Sequence, residues 1–287
     1  MMDAFPPTTD DATPPVRLDR TRWLSPTLLN TYARCPHRVR LHYIDEIPEP
    51  AVYNVFLVQG TIAHSLLKHG ADLLQKRHPL PDADTLHAMT LRRLDPRQFP
   101  SAEARETHAQ QIVRWVMTGY RYLDPEAEFL LIERPRNRPL AAPDGLSALT
   151  LMFRPDVILR RGDADGEFIE IIDYKTGSQR PDPEVGVIAR YVIRPFLQQW
   201  YANPSTVRVR FTFLWLEHGQ RDSYDLTVEF CEPHWETIRR KVGALLSETR
   251  WTPKPSHLCG YCPYNGNACR AYVPGVSDRQ DGELFWE

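Results

Sequence analysis

Asp156 lies in the run Arg154-Pro155-Asp156-Val157-Ile158, and 17 residues further on the chain reads Ile171-Ile172-Asp173-Tyr174-Lys175-Thr176-Gly177. Alternate residues of a strand share a face, so Asp173 and Lys175 point one way and Tyr174 the other. The Asp165-Gly166 pair between the two runs is a hairpin signal, and pairing through it brings Asp156 close to Asp173. Two carboxylates and an ammonium then crowd one end of an apolar hairpin. Isolated charges there are costly, whereas a divalent cation held by the carboxylates offsets their repulsion and the lysine orients or deprotonates a water. That set suits metal-assisted phosphodiester hydrolysis. A lone Asp-x-Lys on a strand is ordinarily a surface salt bridge. Here it follows an apolar run broken only by Glu170 and precedes a Thr-Gly turn.

Cys259-x2-Cys262-x6-Cys269 is a second constellation, three thiols within eleven residues in a loop punctuated by Gly260, Pro263 and Gly266. Such a loop binds metal. A closed four-thiolate site needs one more cysteine, either Cys35 or Cys231; the latter reads as a packed thiol closing a strand. Zinc and an iron–sulfur cluster both accept four thiolates. Zinc sites usually combine two local pairs, but Cys35 stands 224 residues upstream of Cys259, and this one-plus-three division favours the cluster. Tying Cys35 to the distal loop closes almost the whole chain, as a structural clamp would.

The elements that must position these groups follow from periodicity. Ser25-Pro26 is a cap and first-turn pair for a helix carrying Leu28, Leu29, Tyr32 and Ala33, and a second helix spans 38–44. Helices are predicted over 55–76 and 103–122, with a weaker one at 82–94. Short β-rich runs follow at 129–133, 149–159, 167–174, 207–216 and 224–230. Two more helices are predicted over 182–203, restarting at Pro195, and 233–249. Helices followed by a hairpin-rich sheet indicate an α/β or α+β core with an N-terminal helical elaboration.

Composition limits the class. The 287 residues are 42% hydrophobic and 25% charged, which excludes collagen-like and wholly disordered chains despite 26 prolines. The most apolar stretch, 55–67, contains Gln59, Gly60 and His64, so no membrane span is expected. Lys+Arg number 35 against 37 Asp+Glu, a net charge of −2, so any nucleic-acid surface must be local. Residues 1–22 are read as a disordered leader without a signal-peptide core, and the expected location is cytoplasmic. No P-loop sequence is present, so a helicase activity would come from another polypeptide.

With Pro155-Asp156 and Asp173-Tyr174-Lys175-Thr176-Gly177 in view, the chain resembles the RecB-type branch of the PD-(D/E)xK nuclease superfamily. The resemblance implies a restriction-endonuclease-like core, a central mixed β-sheet flanked by helices. It implies that Asp156, Asp173 and the carbonyl of Tyr174 bind Mg²⁺ or Mn²⁺ and that Lys175 assists the attacking water. Gly60-Thr61-Ile62-Ala63-His64 fits the branch's Gly-x-x-x-His, making His64 a further ligand, and Glu133 has a looser counterpart near the metal. A downstream Gln/Tyr helix that contacts DNA or braces the lysine falls on Gln198, Gln199 and Tyr201. Members with a single Cys-Pro and a distal three-cysteine cluster hold a [4Fe–4S] cluster, which here falls on Cys35, Cys259, Cys262 and Cys269; structural Zn²⁺ is the rival.

The implied layout is a leader at 1–22, one nuclease domain at 23–274 with a helical insertion at about 55–123 and an iron–sulfur loop at 257–272, and a tail at 275–287. The implied substrate is DNA, single-stranded or with a free end, in repair, recombination or CRISPR adaptation, with a separate helicase or CRISPR adaptation protein as partner. Arg34, Arg38, Arg40, Arg190, Arg194, Trp200 and Tyr201 are the candidate DNA contacts. The competing reading is a non-catalytic, cluster-bearing DNA-binding subunit of a helicase–nuclease complex. A third is a cluster-bearing redox protein.

Overall fold

Two apolar sets alternate along residues 157–175, and each faces a different core. The computed structural model describes residues 16–18, 23–49, 55–141, 148–177, 179–201, 203 and 206–271. In chain order the elements are β1 (Trp23–Leu24), α1 (Pro26–Arg34), α2 (Pro36–Val39) running into a π-helical turn (Arg40–Ile44), α3 (Val55–Gln75), α4 (Ala83–Leu91) and α5 (Ala102–Tyr122). Then come β2 (Glu128–Ile132), β3 (Arg136–Ala141), β4 (Ala148–Phe153), β5 (Val157–Asp163), β6 (Gly166–Lys175), α6 (Pro183–Trp200), β7 (Arg208–Trp215), β8 (Gln220–Asp225) and α7 (Val228–Ser247).

Five strands pair in the order β2-β5-β6-β7-β8; β6 and β7 are parallel, joined across α6, and the other pairs are antiparallel. A smaller sheet has the order β1-β4-β3. On β6, Ile169 and Ile171 join one core with Phe211 and Phe213 of β7, Val192 of α6, Val242 of α7 and Leu151 of β4. Ile172 and Tyr174 face the other core, with Leu66 and Leu67 of α3 and Ile112 and Val116 of α5. Period-two burial has thus placed helices on both faces of a mixed sheet, the expected α/β class. The β5–β6 turn forms at the anticipated place, Asp163 pairing with Gly166, whose φ of 105° favours glycine.

Several expected boundaries move. The run at 149–159 divides into β4 and β5, which belong to different sheets, because Arg154-Pro155 breaks the ladder and carries the chain from one sheet to the other. Strand β3 has no counterpart in the expectation; it is an edge strand, where Pro139 costs no ladder bond. The helix expected from Pro233 begins at Val228, capped by the Thr227 side chain, and α6 likewise runs unbroken through Pro195. Packing of Val192, Ile193 and Leu197 on the core outweighs the lost hydrogen bond at Pro195. Cys231 therefore sits in α7 rather than at a strand end, packed against the core with Arg190 Nη1 3.4 Å from its sulfur. Within the expected leader, Leu18 is buried in the core and the Val16 carbonyl accepts from Trp251 Nε1 at 2.6 Å, so apolar packing holds these residues to the domain. Residues 1–15, 19–22 and 272–287 lie outside the described residues. No described helix is long and apolar enough to cross a membrane.

Candidate active site

The passage between the two sheets places Asp156 one residue before β5, and because Val157 pairs with Ile172, Asp156 comes level with Asp173. Three contacts fix it. The His64 Nδ1 atom is 3.0 Å from Asp156 Oδ1, the Tyr174 N–H donates to Oδ2 at 2.7 Å, and the Asp156 carbonyl accepts from the Glu133 N–H at 2.9 Å. Glu133 follows β2 in the left-handed region, with φ of 43°, and this turn aims its carboxylate back toward Asp156. Helix α3 delivers His64 by close approach: a Cβ on Gly60 would lie 3.2 Å from Thr176 Oγ1, just beyond β6. Gly60 is one turn before His64 on the same face, so the spacing of Gly-x-x-x-His here has a packing cause.

His64, Glu133 and Asp156 each offer a ligand atom, all within 4.8 Å of one another, and they are the one such group among the described residues. The expected set included Asp173 where the structure places Glu133. Asp173 instead takes the Lys175 ammonium as its counterion, at 2.8 Å, and its buried Oδ2 atom makes no other polar contact among the described residues. A nitrogen and carboxylate oxygens within cation-binding reach, beside a buried carboxylate short of donors, fit Mg²⁺ or, with imidazole present, Mn²⁺.

The charges hold one another in defined states. Burial opposes charge on His64, but neighbouring Asp156 overcomes it and raises the imidazole above its ordinary pKa. Burial likewise opposes the Asp156 carboxylate, yet His64 and the Tyr174 N–H pull its pKa down. Asp173 goes the other way, because burial, reinforced by Asp156, exceeds the help from Lys175. Lys175 loses solvation too, and Asp173 more than compensates, so its pKa is raised and it is an ammonium at neutral pH. A lysine in that state orients a water and stabilises negative charge more readily than it takes a proton.

A cleft of about 1490 Å³ opens over this cluster, walled by α1, α3, α5 and the start of α6. Helix α3 contributes Phe56, Leu57, Gly60, Thr61, His64 and Lys68; Arg34, Arg154, Arg180 and Lys175 add cations. Of the expected DNA contacts, Arg34 alone lines it. Arg38 is near Glu49 at 3.5 Å and Arg40 near Asp45 at 3.1 Å. Arg190 turns to Cys231, and the exposed Arg194 lies farther along α6, outside the lining. Nor does the glutamine helix reach the site: α6 points its N-terminus, with Asp182 and Val185, at the cleft, so Gln198, Gln199, Trp200 and Tyr201 are carried to its far end. There Tyr201 lies under Arg160, 4.8 Å from ring centroid to guanidinium, and both glutamines are exposed. Arg154, Arg180 and Lys68 were not anticipated. Only Arg154, adjoining Pro155-Asp156, carried a sequence signal.

The distal loop packs against the segment that follows Cys35, with His42 Nδ1 3.1 Å from the Tyr264 hydroxyl. Cys35, Cys259, Cys262 and Cys269 are free thiols, each half-buried, and the Cys262 thiol is pushed up by burial with added repulsion from Cys269 and Cys35. Among the described residues their sulfurs do not close into a group as tight as the cleft triad. Protein contacts also join the termini: Lys254 Nζ donates to the Ala33 carbonyl at 3.1 Å, and the buried Tyr264 donates to the Ile47 carbonyl at 2.9 Å.

No curated protein sequence matches this chain. Among solved structures, one titled "Crystal structure of SSO0001" is similar over 86% of this chain and 84% of its own, with 12% identity and a TM-score of 0.35. The family described as "PD-(D/E)XK nuclease superfamily" matches residues 23–270. The site built around Asp156, Asp173 and Lys175 lies inside that span, on a central mixed sheet flanked by helices, and the chain belongs to the PD-(D/E)XK nuclease superfamily.

Proposed function

We propose that this protein is a Mg²⁺- or Mn²⁺-dependent deoxyribonuclease of the RecB type, an exonuclease on single-stranded or end-containing DNA, working in DNA repair, recombination or CRISPR adaptation. The observation that carries the reading is the convergence of His64, Glu133 and Asp156 within 4.8 Å, with the Asp173–Lys175 pair alongside, in one open cleft. His64, Glu133, Asp156, Asp173 and the Tyr174 carbonyl would hold the cation, which when bound supplies Lewis acidity and charge neutralisation at the phosphodiester. Asp173 fixes the Lys175 ammonium, and Lys175 orients the attacking water and stabilises charge building on the phosphate. Tyr174 steadies Asp156 through its N–H, and His64 does so from the opposite side.

Cys35, Cys259, Cys262 and Cys269 hold a [4Fe–4S] cluster in this reading, with structural Zn²⁺ as the alternative occupant. The partner is DNA, with a helicase or CRISPR adaptation protein supplied separately. Digestion of end-labelled linear and circular single-stranded DNA with Mn²⁺ tests the activity. Cutting of the linear form only, lost in Lys175→Ala, is expected; no cutting of any DNA by the parent chain would leave the non-catalytic subunit as the better reading. Absorbance near about 400 nm, lost in Cys35→Ser, is expected for the cluster, whereas a colourless zinc-containing protein would reverse that choice.

A further inference from the structure

Arg154 stands where an arginine is hard to account for by stability alone. Its Nη2 donates to Glu133 Oε2 at 2.8 Å, its side chain is 61% exposed while that of Glu133 is 10% exposed, and it lines the cleft. An exposed arginine paired with a carboxylate contributes little to folding. The pair is fixed at both ends by the backbone. Glu133 is set by its left-handed turn and its N–H bond to the Asp156 carbonyl, and Arg154 immediately precedes Pro155-Asp156 at the crossing between sheets. The guanidinium is therefore held beside the carboxylates rather than swinging freely above them.

Charge arithmetic says what it faces. Within the immediate cluster, with His64 neutral as a cation ligand, Glu133, Asp156 and Asp173 against Lys175 leave a net of about −2, which a divalent cation only neutralises. With Arg154 included the loaded site becomes net positive, matching one phosphodiester anion. One hydrogen bond to Glu133 uses a single N–H of a planar group carrying five. The remaining fork is suited to paired contacts with phosphate oxygens.

We propose that Arg154 is a substrate-binding residue of the proposed hydrolysis, anchored by Glu133 and gripping the non-bridging oxygens of the phosphodiester held at the cation site. The inference rests on the nuclease reading, so its test separates the two. In a Lys175→Ala background, where bound DNA persists uncut, binding of a fluorescent single-stranded oligonucleotide is followed by anisotropy with Mn²⁺ present, with and without Arg154→Ala or Arg154→Lys. Mn²⁺ binding to the same proteins without DNA is measured by calorimetry.

The expected result is a loss of DNA affinity of about 10- to 100-fold in Arg154→Ala. Arg154→Lys, which keeps the charge but not the fork, falls between. Mn²⁺ affinity in Arg154→Ala is unchanged or tighter, since a cation has left an acidic site. Should Arg154→Ala bind DNA like its parent while Mn²⁺ tightens, Arg154 is only the counterion of Glu133 and the inference is overturned. A chain with Lys175 intact that neither binds Mn²⁺ nor cuts DNA overturns the nuclease reading itself, and this inference with it.

Discussion

Glu170 and Asp173 lie on the same strand, β6, and both carboxylates are removed from water, yet the protein treats them differently. Glu170 faces the core under α5. Its Oε1 accepts from Thr212 Oγ1 at 2.6 Å and from the Tyr122 hydroxyl, and Arg161 Nε is 2.6 Å from its Oε2. Asp173 faces the opposite side with one ammonium at 2.8 Å and Asp156 close enough to raise its pKa further. Two hydroxyl donors and a guanidinium counterion from three elements surround the first carboxylate; the second has its ammonium and no hydroxyl donor, at the edge of a cleft. Buried charge surrounded by protein donors is architecture, whereas buried charge lacking them calls for something from outside.

That contrast predicts opposite phenotypes for two similar substitutions. Asp173→Asn is expected to reduce Mn²⁺-dependent cleavage by about 10³-fold, comparable to removing a principal electrostatic contributor at a catalytic site. Its stability should change by less than about 1 kcal/mol, because a carboxylate whose pKa is raised by burial is a charge the fold disfavours. Glu170→Ala should cost about 3–5 kcal/mol by urea unfolding, since it strands Arg161 in the interior, while the folded fraction still cuts DNA. If Asp173→Asn unfolds the protein and Glu170→Ala leaves it intact, the assignment of the two carboxylates is reversed.

The sequence made one member of this comparison legible and hid the other. Asp156, Asp173 and Lys175 could be placed because strand alternation and one turn signal determine their geometry locally. Glu170 registered only as an interruption in an apolar run, since its partners Tyr122, Arg161 and Thr212 come from three other elements. Glu133 was identified only as near the metal; the left-handed turn that aims it depends on a long-range bond to Asp156. That the glutamine end of α6 lies away from the cleft was not legible for a related reason: periodicity shows that α6 is a helix but not which of its ends meets the sheet's active edge. Strand β3 and the true start of α7 were missed because an edge position and a Thr cap overrode the usual reading of Pro139 and Pro233.

A smaller effect sharpens the contrast from the helix side. Gly60→Ala puts a methyl 3.2 Å from Thr176 Oγ1, so the Thr176 side chain or α3 must yield by a few tenths of an ångström. Alanine favours the helix by up to about 1 kcal/mol, and stability should hardly fall. Cleavage should drop by about tenfold as His64 shifts against Asp156. Adding Thr176→Ala removes the obstructing hydroxyl and should restore most of the loss, a coupling that distant, independent sites would not show. Simple additivity of the two substitutions would mean that Gly60 is not what sets the position of His64.

Glu248 is an intermediate case, a half-buried carboxylate supplied by three adjacent backbone N–H groups and one distant hydroxyl. Its Oε1 accepts from the N–H groups of Thr249, Arg250 and Trp251 at 2.9, 2.8 and 3.2 Å, and Tyr32 donates to Oε2 at 3.1 Å. Burial opposes its charge, but these bonds outweigh that and leave its pKa below the ordinary value. The folded state then binds this proton less readily than the unfolded chain. Its contribution is complete above the ordinary glutamate pKa of about 4.3 and disappears as pH falls through the lowered value. Tyr32 gives the mirror image: burial and Glu248 push it up to about 12, so its contribution fades as pH rises from about 10 toward that value. Glu248→Gln should therefore lower the melting temperature at pH 7 by an amount corresponding to less than about 1 kcal/mol, with the deficit closing below pH about 4. A deficit that stayed constant down to low pH would assign the effect to lost shape rather than lost charge, and would remove Glu248 from the series that Glu170 and Asp173 define.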